Sequence, residues 1–153
     1  MLSESVDEYL KAVYLLTQKN EHAKTSDIAK QLSIYPSSVT EMLEKLGKQG
    51  LVQHNPYHGA KLTAKGQKLA RKIIRRYRVL QVFFQKFLGL SEQESSDQAC
   101  LMEHHVSDSA EEKICTMLGR PLESFDTEHI PKCGKRISCE QCLSIAANSP
   151  QNK

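Results

Sequence analysis

Three features of the sequence predict a mainly α fold. Apolar residues recur every three or four positions through most of the first 118 residues. Only two short stretches, 51–54 and 60–63, depart from that spacing in the manner of strands. Pro36, Gly50, Gly89 and Pro121 stand where helices would begin or end. At 153 residues, 39% of them hydrophobic and 25% charged, the chain has room for one domain or two small ones.

Val6, Tyr9, Leu10, Val13 and Leu16 place a helix over roughly 4–19. Asn20–His22 reads as a loop. Thr25, Ser26 and Asp27 open a second helix to about Leu32, with hydroxyl capping residues and an early acid. Ser33–Tyr35 is a tight turn, and Pro36 fits the first position of a third helix. That helix carries Val39, Met42, Leu43 and Leu46 on one face and stops at Gly50. The two short strands follow, joined by the turn Asn55–Gly59. Thr63 can cap a long basic helix over 64–88, ended by Gly89. Ser91 to Glu94 has the spacing of a capping box for a helix reaching about His105. A last helix spans 108–118, and no periodicity follows Pro121.

Helix, turn, helix and two-stranded ribbon is the order of a winged helix-turn-helix, a unit that lays its second helix in a DNA major groove. Ser37, Ser38 and Thr40 give that helix a small, hydroxyl-bearing start suited to phosphates or base edges. Thr25, Ser26 and Tyr35 lie at neighbouring helix ends, where backbone N–H groups attract phosphate. Lys45 and Lys48 continue along the recognition helix, and His58 and Lys61 decorate the wing. Charge agrees: residues 1–90 hold 15 Lys and Arg against 7 acids, while residues 91–153 hold 6 against 11. A basic front half suits a polyanion, an acidic back half suits cations or a protein. Apolar runs are too short for a membrane span, and the N-terminal residues lack the pattern of a signal peptide, so a cytoplasmic protein is expected.

Cys100, Glu103 and His104 are three and four residues apart, and so share one helix face. Thiolate, carboxylate and imidazole together suit a first-row divalent metal. A fourth ligand must come from elsewhere, with an acid on the first helix the best candidate. His105 is rotated off this face. A metalloenzyme using Glu103 as a base is disfavoured, because no substrate site is evident and the DNA-reading half would be left without a purpose.

Taken together these segments resemble the diphtheria toxin repressor and manganese transport regulator family of metal-dependent repressors. Ser5–Leu10 is similar to its opening helix, Ser26–Ala29 and Pro36–Thr40 to its helix-turn-helix, Leu62–Gly66 to its wing exit and Cys100–Ser107 to its metal helix. The resemblance covers roughly residues 4–118. It implies a homodimer that binds double-stranded operator DNA, represses metal-uptake genes, and holds its metal with Glu8, Cys100, Glu103 and His104. Glu8 stands where the family has Met or Asp, and Cys100 is the choice of the iron branch. Fe2+ is therefore the expected effector, with Mn2+ or Zn2+ as alternatives. Tyr77, Gln81, Ser96 and Lys11 replace residues that the family uses for a second metal, so that metal is expected to be absent or differently built.

The expected organisation is a winged helix-turn-helix DNA-binding domain over 1–63, a helical metal-binding and dimerisation domain over 64–120 and a short Cys-rich tail over 121–153. In that tail His129, Cys133, Cys139 and Cys142 form H-x3-C-x5-C-x2-C. Four soft ligands so close suggest a second metal, either zinc or an iron–sulfur cluster, with Cys115 able to replace His129; a tail of free thiols that binds no metal is the alternative.

Overall fold

The computed structural model describes residues 4–121 and 129–132. The chain divides into two compact units, Met1–Ile73 and Ile74–Lys153. Six helices and one two-stranded antiparallel sheet are found among the described residues.

The first unit contains α1 (Glu4–Lys19), α2 (Thr25–Leu32), α3 (Pro36–Lys48), β1 (Val52–Asn55), β2 (Gly59–Leu62) and the first part of α4 (Ala64–Leu88). Their apolar stripes meet in one core. Leu10 and Val13 of α1, Ile28 of α2, Val39, Leu43 and Leu46 of α3, and Ala60 of β2 all lie at 0% exposure. Removing such surface from water, at about 25 cal/mol per Å2, is the main force holding these short helices.

Several start and stop signals act as expected. Pro36 occupies the opening turn of α3, and Gly50 follows the helix at φ +69°. The Thr63 hydroxyl accepts from Gly66 N–H at 3.1 Å and so caps α4. One signal does not. Lys24, rather than Thr25 or Ser26, is the N-cap of α2, and it makes no side-chain cap bond. Thr25 and Ser26 already lie inside the first helical turn, so their hydroxyls are not spent on capping. The strands also shift by one residue. Val52 pairs Leu62 and Asn55 pairs Gly59, with the Asn55 Oδ1 accepting from Tyr57 N–H at 2.9 Å to close the turn. Ala23 adds an isolated bridge to Ala60. That contact brings the Ala23 carbonyl so close to Gly59 that a Cβ there would lie 2.3 Å from its oxygen, at φ +98°. Only glycine fits.

The second unit contains the rest of α4, α5 (Glu92–Met102), α6 (Asp108–Met117) and the described strip 129–132. Val79, Val82, Cys115, Leu118 and Ile130 form one apolar cluster, and Leu80, Phe84 and Ala99 another. The capping box is present: Ser91 Oγ accepts from Glu94 N–H, and the Glu94 carboxylate accepts from Ser91 N–H at 2.9 Å. The Ser91 hydroxyl, which donates to the Glu94 carboxylate at 2.6 Å, and then the Ser91 N–H hold the Glu94 carboxyl below its ordinary value. α5 stops at Met102, three residues before the expected end, and Glu103 to His105 form a turn. Phe87, Leu88, Leu101, Met102 and Met117 are exposed apolar side chains in this unit.

Candidate metal centre and nucleic-acid interface

In the second unit the early end of α5 leaves the proposed donors together. Glu103 is the C-cap at φ −57°, ψ −30°, and its N–H still donates to the Ala99 carbonyl at 2.9 Å. One more residue with helical backbone angles preserves the three-residue spacing, so Cys100 Sγ and a Glu103 carboxylate oxygen lie within 4.8 Å of each other. His104 Nε2 stands 3.5 Å from Glu103 Oε1. Glu103 is 1% exposed. An ionised carboxylate that deep in apolar surroundings requires a compensating charge or hydrogen bond. The thiol, the carboxylate and the adjacent imidazole are donor types that suit a first-row divalent metal, so the residues fit the group; the Cys100 sulfur and the Glu103 carboxylate meet, while His104 is placed only beside Glu103.

Glu8, the fourth expected ligand, lies on α1 in the first unit. Lys11 Nζ is 3.7 Å from its Oε1. Three of the positions that the resemblance links to a second site form a neutral cluster in the second unit: Gln81 Nε2 donates to Ser96 Oγ at 2.9 Å and to the Tyr77 hydroxyl at 3.2 Å. Among the residues of the Cys-rich tail, His129 is exposed, while Cys133, Cys139 and Cys142 lie outside the described residues. Cys115 is buried at 1% exposure.

The first unit presents the expected DNA-facing groups unevenly. Ser37, Ser38, Lys45 and Lys48 are exposed on α3. Thr40 is half-buried, and its hydroxyl donates back to the Pro36 carbonyl at 3.2 Å. Tyr35 caps the start of α3 at 81% exposure. Ser26 is exposed and Thr25 half-buried at the start of α2. His58 is exposed on the wing, its ring centroid 6.4 Å from that of His22. Lys61 lies 3.8 Å from Glu21, so part of its charge is already balanced.

Two groups were passed over at the sequence level. Tyr57, at the wing tip, is 93% exposed, an aromatic face and a hydroxyl beside His58. An aromatic inside an otherwise polar turn was the available signal. Tyr9 is the other: its hydroxyl donates to the Ser38 carbonyl at 3.4 Å, joining α1 to the first turn of α3. Burial, and the nearby Glu41 carboxylate, push the Tyr9 hydroxyl above its ordinary value, so it remains a donor. Periodicity alone had marked Tyr9 only as a core position.

A winged helix-turn-helix followed by a helical unit in which a buried glutamate lies beside a thiol and an imidazole defines the class: a DNA-binding regulator governed by a metal. The chain belongs to the iron-dependent repressor family. The model of that family's N-terminal DNA-binding domain matches residues 1–60, and the model of its metal-binding and dimerisation domain matches residues 63–132. An HTH-type transcriptional regulator of Methanocaldococcus jannaschii is 40% identical over 74% of this chain and 91% of its own. The HTH-type transcriptional regulator MntR of Lysinibacillus sphaericus is 32% identical over 84% of this chain and 99% of its own. The structure of the manganese regulator SloR superposes with a TM-score of 0.76 at 32% identity, covering 87% of this chain. This chain spans 62% of the length of SloR. The protein is thus a metal-dependent transcriptional repressor and not an enzyme. No helix among the described residues is long and apolar enough to cross a membrane.

Proposed function

We propose that the protein is a cytoplasmic homodimer that binds double-stranded operator DNA and represses metal-uptake genes when Fe2+ is held by Glu8, Cys100, Glu103 and His104. The observation that carries this reading is the approach of Cys100 to Glu103 within 4.8 Å beside His104. A bound divalent cation would offset two of the three negative charges carried by two carboxylates and a thiolate. A thiolate is a soft ligand and favours Fe2+ over the harder Mn2+. Zn2+ binds most such sites more tightly than either, so cellular availability decides the effector.

The role of the chain is to distribute these donors over two units. α1 carries Glu8 and, through Tyr9, holds the start of α3. A ligand set shared between α1 and the end of α5 restricts α3 and the wing to the arrangement in which two protomers address successive major grooves. By reciprocity, operator DNA tightens metal binding by the same factor. Phe87, Leu88, Leu101, Met102 and Met117 supply exposed apolar surface in the second unit for a homodimer.

Mn2+ is the second reading, favoured by the likeness to SloR, a manganese regulator. Operator binding titrated anaerobically with Fe2+, Mn2+ and Zn2+ separates them, with sedimentation reporting the dimer. Glu103→Gln is expected to lose metal-stimulated operator binding while keeping its helical circular dichroism. Operator binding that ignores both chelation and Glu103→Gln refutes the assignment.

A further inference from the structure

The outward face of α3 carries an acid, in a helix whose partner is a polyanion. α3 buries Val39, Leu43 and Leu46, all at 0% exposure. At 3.6 residues per turn, or about 100° per residue, Glu41 and Lys48 fall almost opposite the centre of that buried stripe. Both are exposed. Glu41 stands in the first half of the helix, and Lys48 is its last residue. Ser38 and Lys45, also exposed, flank Glu41 on one side. In a helix-turn-helix the N-terminal residues of the second helix meet the base edges. Glu41 is the longest exposed side chain in that half of α3, and its position aims it at the floor of the groove. Among the described residues no hydrogen bond or ion pair holds its carboxylate. Its electrostatic neighbour is the Tyr9 hydroxyl, whose hydrogen bond to the Ser38 carbonyl fastens the turn that precedes Glu41.

A carboxylate carried between two phosphate backbones is repelled unless it gains a donor. The four base edges differ in what they offer in the major groove. Guanine presents O6 and N7, and thymine O4, all of them acceptors. Adenine presents its N6 amino group beside the N7 acceptor, which opposes a carboxylate. Cytosine presents its N4 amino group with no acceptor of its own beside it.

We propose that Glu41 accepts a hydrogen bond from the N4 amino group of one cytosine in each operator half-site, and so sets the base preference at that position. Lys45 and Lys48 attract phosphate whatever the sequence. Glu41 opposes that attraction on DNA in general and regains the loss only where cytosine stands, so it specifies by rejecting the other bases. The inference rests on α3 being the helix that enters the groove.

The test uses the full chain, anaerobically, with whichever of Fe2+, Mn2+ and Zn2+ gives the tightest DNA binding. The parent, Glu41→Ala, Glu41→Gln and Glu44→Ala each select duplexes from a random library. The parent is expected to enrich a motif with one invariant cytosine in each half. Glu41→Ala should keep the rest of the motif and lose the preference at that position alone. Glu41→Gln should move the preference to adenine, whose N6 and N7 a glutamine bonds together. Glu44 is exposed one turn further along and serves as the comparison: Glu44→Ala should tighten binding to all duplexes with the motif unchanged. Replacing the cytosine pair in the selected duplex should weaken the parent at least about fivefold, and Glu41→Ala by less than about twofold. The proposal is overturned if Glu41→Ala selects the parent motif unchanged, or if the altered position prefers a base other than cytosine in the parent. It is equally overturned if Glu41→Ala tightens binding to selected and unrelated duplexes by the same factor, as loss of a merely solvated acid would. A parent that binds DNA but enriches no sequence overturns the proposal and leaves the DNA-binding assignment standing. A parent that binds no duplex with any of the three ions refutes that assignment and the proposal together.

Discussion

Arg75 offers the sharpest test of how the second unit is held together. Its Nε approaches Glu111 Oε1 to 2.9 Å, a charge–charge contact out of hydrogen-bond alignment. Its other two nitrogens reach the Pro131 carbonyl at 2.8 Å and the Cys115 sulfur at 2.9 Å. The two side chains of the ion pair are 9% and 12% exposed, so water screens little of the interaction. Arg75→Met keeps most of the aliphatic stem and leaves the Glu111 carboxylate buried without this partner. Removing one member of a buried pair costs about 3–5 kcal/mol. The two lost hydrogen bonds add about 1 kcal/mol each. The poor alignment of the Glu111 contact argues for the lower part of the summed range, and we expect a loss of about 5 kcal/mol. At this chain length that lowers the melting temperature by roughly 10–20 °C. Denaturant unfolding at one fixed protomer concentration measures it, because dimerisation makes stability concentration-dependent. The double variant Arg75→Met/Glu111→Leu removes both charges and should recover at least half of the loss. A cost below about 1 kcal/mol for the single variant, or a double variant no more stable than the single, would refute the buried-pair account.

Other expectations follow from single contacts. Gly59→Ala places a methyl 2.3 Å from the Ala23 carbonyl oxygen at a positive φ, so stability should fall by about 1–3 kcal/mol from the backbone conformation alone; a lowered urea midpoint together with weakened operator binding would show it. Lys45→Ala should weaken binding to specific and unrelated DNA alike and reduce the salt slope by about 1, and a sequence-selective effect would instead make Lys45 a base reader. The Cys115 thiol is raised by burial, so its contribution to stability is fully present below the unfolded value of about 8.5 and disappears as pH rises through the higher folded value. Unfolding curves of the parent chain should therefore lose more stability between neutral and alkaline pH than those of Cys115→Ala, and parallel curves would count against it.

Local chemistry in the sequence was enough to delimit α1, α2 and α4. Amphipathic spacing, Pro36, Gly50, Gly89 and the Ser91–Glu94 pair each act within one or two turns of themselves. The approach of Cys100 to Glu103 was legible for the same reason, since three-residue spacing is a property of one helical turn. The end of α5 at Met102, the one-residue shift of the strands and the cap of α2 at Lys24 were not legible. Each depends on what lies opposite: Ala23 bridges Ala60, and Asn55 closes its own turn. The enclosure of Cys115 was further out of reach. Arg75 meets Pro131 across 56 residues and Cys115 across 40, separations about which helical periodicity carries no information. What the sequence determined by itself was therefore the set of elements and the kinds of side chain they bear. Only the tertiary structure decided which thiol is enclosed and which imidazole faces solvent, because burial is set by the packing of distant segments and not by neighbours along the chain.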